Sequence, residues 1–189
     1  MIVAIVLAAG LSRRMGKRKL LLELEGRSII RWSVEAVRRE VDRVVVVVGP
    51  GDSEVRAALE DLGVTFAVNP HPEAGQGTSI ASGVEALDPG TRAVLVALGD
   101  QPRLPSDVIP ALREAFERTG QSVIAPVYRG TQGTPVLFGA DVVPELRSLT
   151  GDAGARSVVR RDASRVELVS FDLPMPLDID TPEDYARLV

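Results

Sequence analysis

The sequence predicts a three-layer α/β architecture: a mostly parallel central sheet with helices on both faces. Three observations carry that expectation. Apolar runs at 2–7, 44–48, 92–98 and 122–126 alternate with stretches of helical character from 29, at 52–62, from 78 to about 87 and at 105–119, the rhythm of strands joined by helical crossovers. The run at 44–48 is five consecutive valines, and an unbroken apolar strand suits a sheet covered on both sides. Glycine directly follows the runs at 44–48 and 92–98 and stands at position 10 after the run at 2–7, which places turns at their ends.

Taken in order, the strand at 2–7 runs straight into Ala8, Ala9 and Gly10, small residues that let a backbone turn sharply and approach a ligand. Ser28 is a capping residue type ahead of a helix carrying Ile29, Ile30, Trp32, Val34 and Val37. Gly49, Pro50 and Gly51 stop the valine strand, a helix is expected at 52–62, and a short strand at 64–68 ends at Asn69 and Pro70. Between 71 and 83 lies Gly75-Gln76-Gly77-Thr78-Ser79, where Thr78 or Ser79 is expected to cap a helix and leave free amides facing a strand-end crevice. The strand at 92–98 ends in Gly99-Asp100-Gln101-Pro102. After a helix at 105–119 and a strand at 122–126 the pattern loosens into a short strand at 134–138, a helix opened by 151–156 and a strand at 166–171. Thr181, followed by Pro182, Glu183 and Asp184, is a strong start signal for a last helix.

Composition narrows the function. The 189 residues carry a formal net charge of −4, which argues against a general nucleic-acid binder. Arg13, Arg14, Lys17, Arg18 and Lys19 nevertheless fall within seven positions, a local cluster suited to a small anion bearing several phosphates. No cysteine is present, so disulfides, thiolate metal sites and a cysteine nucleophile are excluded, and His71 is the single histidine, an ordinary loop residue. With no leader or spanning stretch visible, a cytoplasmic protein without a membrane partner is expected.

The basic loop is neither of two common phosphate loops. Five residues separate Gly10 from Gly16 and Arg18 follows Lys17, unlike a Walker A loop, and no Gly-x-Gly-x-x-Gly occurs. Asp100, directly after an apolar strand, is placed either to hold a divalent cation or to cap the next helix. Asp178 and Asp180 share one side of an extended segment, because residues two apart point the same way. They suit the second half of a metal site or the punctuation of a helix start.

These stretches resemble a family. Residues 7–19, with Leu-Ala-Ala-Gly, then Arg-Met-Gly and a closing Lys, resemble the signature of nucleotidyltransferases that activate a phosphorylated acceptor, most of all the cytidylyltransferase branch of the molybdenum cofactor nucleotidyltransferases. The segments 98–102, 151–156 and 178–184 resemble that family's strand-end metal, Gly-Asp-x-Gly-Ala-Arg and C-terminal motifs, while Thr134 stands where the family usually has His before Pro-Val-Leu-Phe. The resemblance implies a Rossmann-like nucleotidyltransferase fold of GT-A type in one domain over 1–189, roughly 1–126 for the nucleotide and 127–189 for the acceptor. It implies transfer of CMP from CTP to molybdopterin with release of pyrophosphate. Arg14, Lys19 and Asp100 would be catalytic. Leu7, Ala8, Ala9, Gly10, Gly75, Gly77 and Ser79 would bind nucleotide with them, and Arg156 would meet the acceptor's phosphate. Mg²⁺, or Mn²⁺, would sit on Asp100 with Asp180 or Asp178, and a recipient molybdoenzyme or its chaperone would be a partner. A Leu-Ala-Ala-Gly opening accompanies cytidine in these families and Leu-Ala-Gly-Gly guanosine, which assigns base choice to Ala9. The alternatives are guanylyl transfer, another phosphorylated acceptor such as a sugar phosphate, or a non-catalytic nucleotide-binding regulator or cofactor chaperone.

Overall fold

The computed structural model describes residues 1–10, 19–152 and 154–189. In chain order it forms β1 (Ile2–Leu7), a small hairpin of β2 (Glu23–Leu24) and β3 (Arg27–Ser28), α1 (Ile29–Arg38), β4 (Arg43–Val48), α2 (Ser53–Ala57) and β5 (Thr65–Val68). There follow α3 (Gln76–Val84), β6 (Ala93–Leu98), α4 (Val108–Thr119), β7 (Val123–Tyr128), β8 (Thr131–Gln132) and β9 (Val136–Gly139). Helices α5 (Val143–Arg147) and α6 (Ala155–Arg161), strand β10 (Val166–Phe171) and helix α7 (Pro182–Ala186) complete it.

The main sheet runs β5-β4-β1-β6-β9-β7-β10, with β8 folded back onto β7. Neighbours are parallel except β9, which is antiparallel to both β6 and β7. Successive residues of β1 point to opposite faces. Ile2, Ala4 and Val6 join one apolar core with Ile30 and Val34 of α1 and Leu112 of α4. Val3 and Ile5 join a second core with Ile80 of α3, Leu146 of α5 and Val158 of α6. Two cores on either side of one sheet make the expected three-layer sandwich. Among the described residues no helix is long and apolar enough to cross a membrane.

The direction of chain travel reverses between β1 and β6. After β1 the chain moves outward to β4 and β5, whereas β6 takes the other side of β1. In an open α/β sheet such a reversal leaves a crevice beyond the strands' carboxyl ends.

Several local expectations are corrected. Ser28 does precede α1, yet its side chain makes no cap bond and its buried hydroxyl finds no partner among the described residues. The stretch 52–62 is two pieces, because the backbone leaves helical geometry at Leu59 (φ −125°) as Leu59 and Leu62 turn into the core. Helix α3 starts at Gln76 behind Gly75, not behind Thr78 or Ser79, and the Thr78 hydroxyl donates to the Gly75 carbonyl at 2.8 Å. Helix α4 starts at Val108 behind Asp107, so Asp100 is not its cap. Thr181 behaves as expected: it accepts from the Asp184 amide while the Asp184 carboxylate accepts from its own.

Helix α3 lies close against the sheet at Gly83, where a Cβ would come 2.5 Å from Ile5 Cγ2 and 3.0 Å from Val47 Cγ2. Overpacking there costs about 1–3 kcal/mol, against about 1 kcal/mol regained by removing a helical glycine. Gly83→Ala is therefore expected to lower the unfolding free energy by about 1 kcal/mol in urea titrations, the opposite of its effect in an exposed helix.

Candidate active site

A cleft of about 300 Å³ opens at the reversal between β1 and β6. Its floor is built by zipping the two strand ends together. Gly99 donates to the Leu7 carbonyl at 3.0 Å, and a side chain at Gly99 would strike Ile30 Cδ1 at 2.7 Å and Leu7 oxygen at 2.9 Å. The position needs glycine, and it delivers Asp100 to the cleft beside Leu7, Ala8, Ala9 and Gly10. The Ala8 amide is already donated to the Val47 carbonyl at 2.8 Å, so it is not one of the amides open to a ligand.

Lys19 reaches across this floor. Its ammonium lies 2.6 Å from Asp100 Oδ2 and 2.9 Å from Asp180 Oδ1, with only 11% of the side chain exposed. Burial opposes its charge, but the two carboxylates, Asp100 foremost, outweigh that and raise its pKa above the usual lysine value. Lys19 is therefore a cation at working pH.

Asp180 and Asp178 arrive on an extended segment outside the sheet, and the alternation read from sequence holds there. Ile179 is fully buried and its amide donates to the Asp100 carbonyl at 3.2 Å, so the flanking aspartates both border the cleft. They differ in partner. Asp178 Oδ1 accepts from Gln101 Nε2 at 2.6 Å, and Gln101 Oε1 accepts from the Thr134 hydroxyl at 2.9 Å. Loss of solvent within the cleft and then the Asp100 charge push the Asp178 carboxyl up, with the Gln101 bond opposing, although the residue keeps an exposed edge.

A hard divalent cation fits this donor set. Mg²⁺ characteristically takes one or two carboxylates and completes its shell with water and phosphate. Asp100 and Asp180 converge closely enough to share a single ammonium, while among the described residues no three acidic or histidine side chains form a larger cage.

The far wall comes from Gly75 and the start of α3 packed against Gly151 and Gly154. The Gly77 amide donates to the Gly151 carbonyl at 2.8 Å. A Cβ on Gly75 (φ +104°) would sit 2.3 Å from the Gly151 carbonyl carbon, and one on Gly154 would sit 2.1 Å from Gln76 Oε1. Gly75 and Ser79 border the cleft together with Gln76 and Pro72. Gly77 does not, and its amide is spent on Gly151. Arg156 is exposed on α6 and outside the cleft wall, and His71 is an exposed loop residue beside Glu73. Arg14, with Arg13, Lys17 and Arg18, lies outside the described residues.

Three residues that organise the site are not evident from sequence. Asn69, 1% exposed, donates to both the Thr78 and Ser79 hydroxyls and accepts from the His71 amide, which ties the end of β5 to the first turn of α3. Gln101, 4% exposed, and Thr134 form the link to Asp178. A polar residue directly before Pro70 or Pro102 was the available signal.

A Rossmann-like sheet whose switch-point crevice gathers a charged lysine and convergent carboxylates defines a nucleotidyltransferase working on a nucleoside triphosphate. The chain belongs to the MobA-like NTP transferase domain family, matched over residues 4–166. It is 32% identical to the purine catabolism protein PucB of Bacillus subtilis, over 97% of this chain and 94% of that one. It is 27% identical to the molybdenum cofactor cytidylyltransferase of Escherichia coli, over 96% and 92%. Among solved structures, the manganese complex of Rv0371C from Mycobacterium tuberculosis superposes with a TM-score of 0.83 at 28% identity, covering 99% of this chain and 97% of that one.

The packing of Gly75 against Gly151 gives a direct test. Gly75→Ala forces a Cβ into the Gly151 backbone at a strained φ and is expected to cost about 1–3 kcal/mol in urea unfolding. Hydrogen exchange at the Gly77 amide should quicken in the same variant.

Proposed function

We propose that the protein transfers CMP from CTP to the terminal phosphate of molybdopterin, giving molybdopterin cytosine dinucleotide and pyrophosphate. The observation that carries this reading is the Leu7-Ala8-Ala9-Gly10 opening on the cleft wall, and the similarity to the Escherichia coli cytidylyltransferase along nearly the whole chain supports it. An acceptor phosphate oxygen attacks the α-phosphorus of CTP as the bond to the β-phosphate oxygen breaks, and pyrophosphate leaves with the electron pair. The attacking phosphate is already ionised, so no general base is required. The task of the protein is to hold the two anions in line and neutralise their charge.

Lys19 is the described cation closest to that task, and Arg14 would join it from the basic loop. Ala9, with Gly75 and Ser79, would shape the base pocket, a methyl at position 9 narrowing the space for a purine. Asp100 and Asp180 would hold Mg²⁺ or Mn²⁺, and the manganese complex of the mycobacterial relative supports a divalent ion. When bound, such an ion neutralises charge on the triphosphate. Residues 1–126 would serve the nucleotide and 127–189 the acceptor, with Arg156 reaching the acceptor's phosphate. A recipient molybdoenzyme or its chaperone would take the product. A second reading, a role in purine catabolism, is favoured by the identity to PucB and is compatible with the same transfer.

Pyrophosphate release from CTP, GTP, ATP and UTP with molybdopterin is the test. Release is expected with CTP, to disappear with a chelator and return with Mg²⁺ or Mn²⁺; release from GTP instead overturns the cytidylyl reading. Asp100→Ala should lower the rate by about 100-fold or more. Ala9→Gly should move the CTP-to-GTP preference toward GTP by about 10-fold, the scale of one methyl in a pocket.

A further inference from the structure

Asp100, Asp178 and Asp180 all border the cleft, but the structure divides them. Lys19 binds Asp100 and Asp180. Asp178 is held instead by Gln101, whose amide is buried and used at both ends. The order of that link is fixed by chemistry. A carboxamide has one accepting and one donating end, and turning it over would set its oxygen against the Asp178 carboxylate. The Thr134 hydroxyl therefore donates to Oε1, and Nε2 is aimed at Asp178. Thr134 is steadied in turn by the Tyr128 hydroxyl, which donates to its carbonyl at 2.9 Å. The link begins and ends in the 127–189 half and passes through the residue directly after Asp100.

Resting on the reaction proposed above, the geometry points to Asp178 as the hydrogen-bond acceptor for an N–H or O–H group of the acceptor substrate, outside the metal pair, with Gln101 as the positioning residue that aims it. One carboxylate oxygen is tied to Gln101, which fixes the plane of the group along the cleft edge. A fixed carboxylate at an exposed edge recognises a neutral hydroxyl or amino hydrogen without a rotamer search, and an analogue lacking that hydrogen forgoes the charge-assisted bond.

Initial rates with CTP and molybdopterin varied in turn test the assignment. Gln101→Met keeps the length and removes both bonds; the KM for molybdopterin is expected to rise about tenfold or more while the KM for CTP stays within about twofold. Thr134→Val should move the same constant by less, and Thr134→Ser, which keeps the donor, should leave it at the wild-type value. Gln101→Met combined with Asp178→Asn should be no worse than Asp178→Asn alone, because one residue acts through the other. Mn²⁺ binding without nucleotide, followed by electron paramagnetic resonance, should weaken in Asp180→Asn and not in Asp178→Asn. A parallel rise of both KM values, additive effects in the double variant, or weakened Mn²⁺ binding in Asp178→Asn overturns the assignment. A wild-type protein that releases no pyrophosphate from any triphosphate overturns the proposed reaction and the assignment together, whereas an active wild type with an unshifted molybdopterin KM in Gln101→Met overturns the assignment alone.

Discussion

The bridge from Lys19 to Asp100 and Asp180 is the constraint around which the rest of the molecule is arranged. Two carboxylates this close repel each other unless a cation lies between them, and Lys19 supplies it with bonds of 2.6 and 2.9 Å. Such an arrangement is weak evidence of stability, because the desolvation of partly buried charges offsets much of their attraction. Its value is positional. The three side chains come from the turn at Lys19–Leu21, the end of β6 and the segment before α7, so their meeting fixes how the beginning, middle and end of the chain approach one another.

The neutral parts of the fold hold that meeting point steady. Gly99 lets β6 close on the end of β1, and Ile179 sits fully buried with its amide on the Asp100 carbonyl. The charged groups can stand at a cleft because apolar packing and backbone bonds position them from behind. Across the cleft, the contact of Gly75 and Gly77 with Gly151 does the same for the opposite wall. Gly75 is required here because backbone meets backbone, which leaves no room for a Cβ.

Much of this was legible in the sequence, and the parts that were not have a common cause. Unbroken apolar strands announced a sheet covered on both faces, and a carboxylate at the end of one announced the crevice. Asp178 and Asp180, read as sharing one side of an extended segment, both border the cleft. Caps were read less well: Ser28 has the right chemistry and makes no cap bond, whereas α3 begins behind Gly75, because side-chain capping depends on local backbone geometry that residue type does not specify. The Gln101 link was invisible for a simpler reason. Its partners, Thr134 and Asp178, are far away in the chain, and the same distance concealed the docking of the start of α3 on Gly151.

The antiparallel strand β9 bears on how such a protein can change over time. It belongs to the later part of the chain, yet it lies between β6 and β7, both largely from the earlier part. Recombination near residue 126 would thus exchange an inner strand of the sheet along with the surface loops that follow it. Hybrids would inherit a mismatched interior, which favours divergence by point substitution over the shuffling of halves.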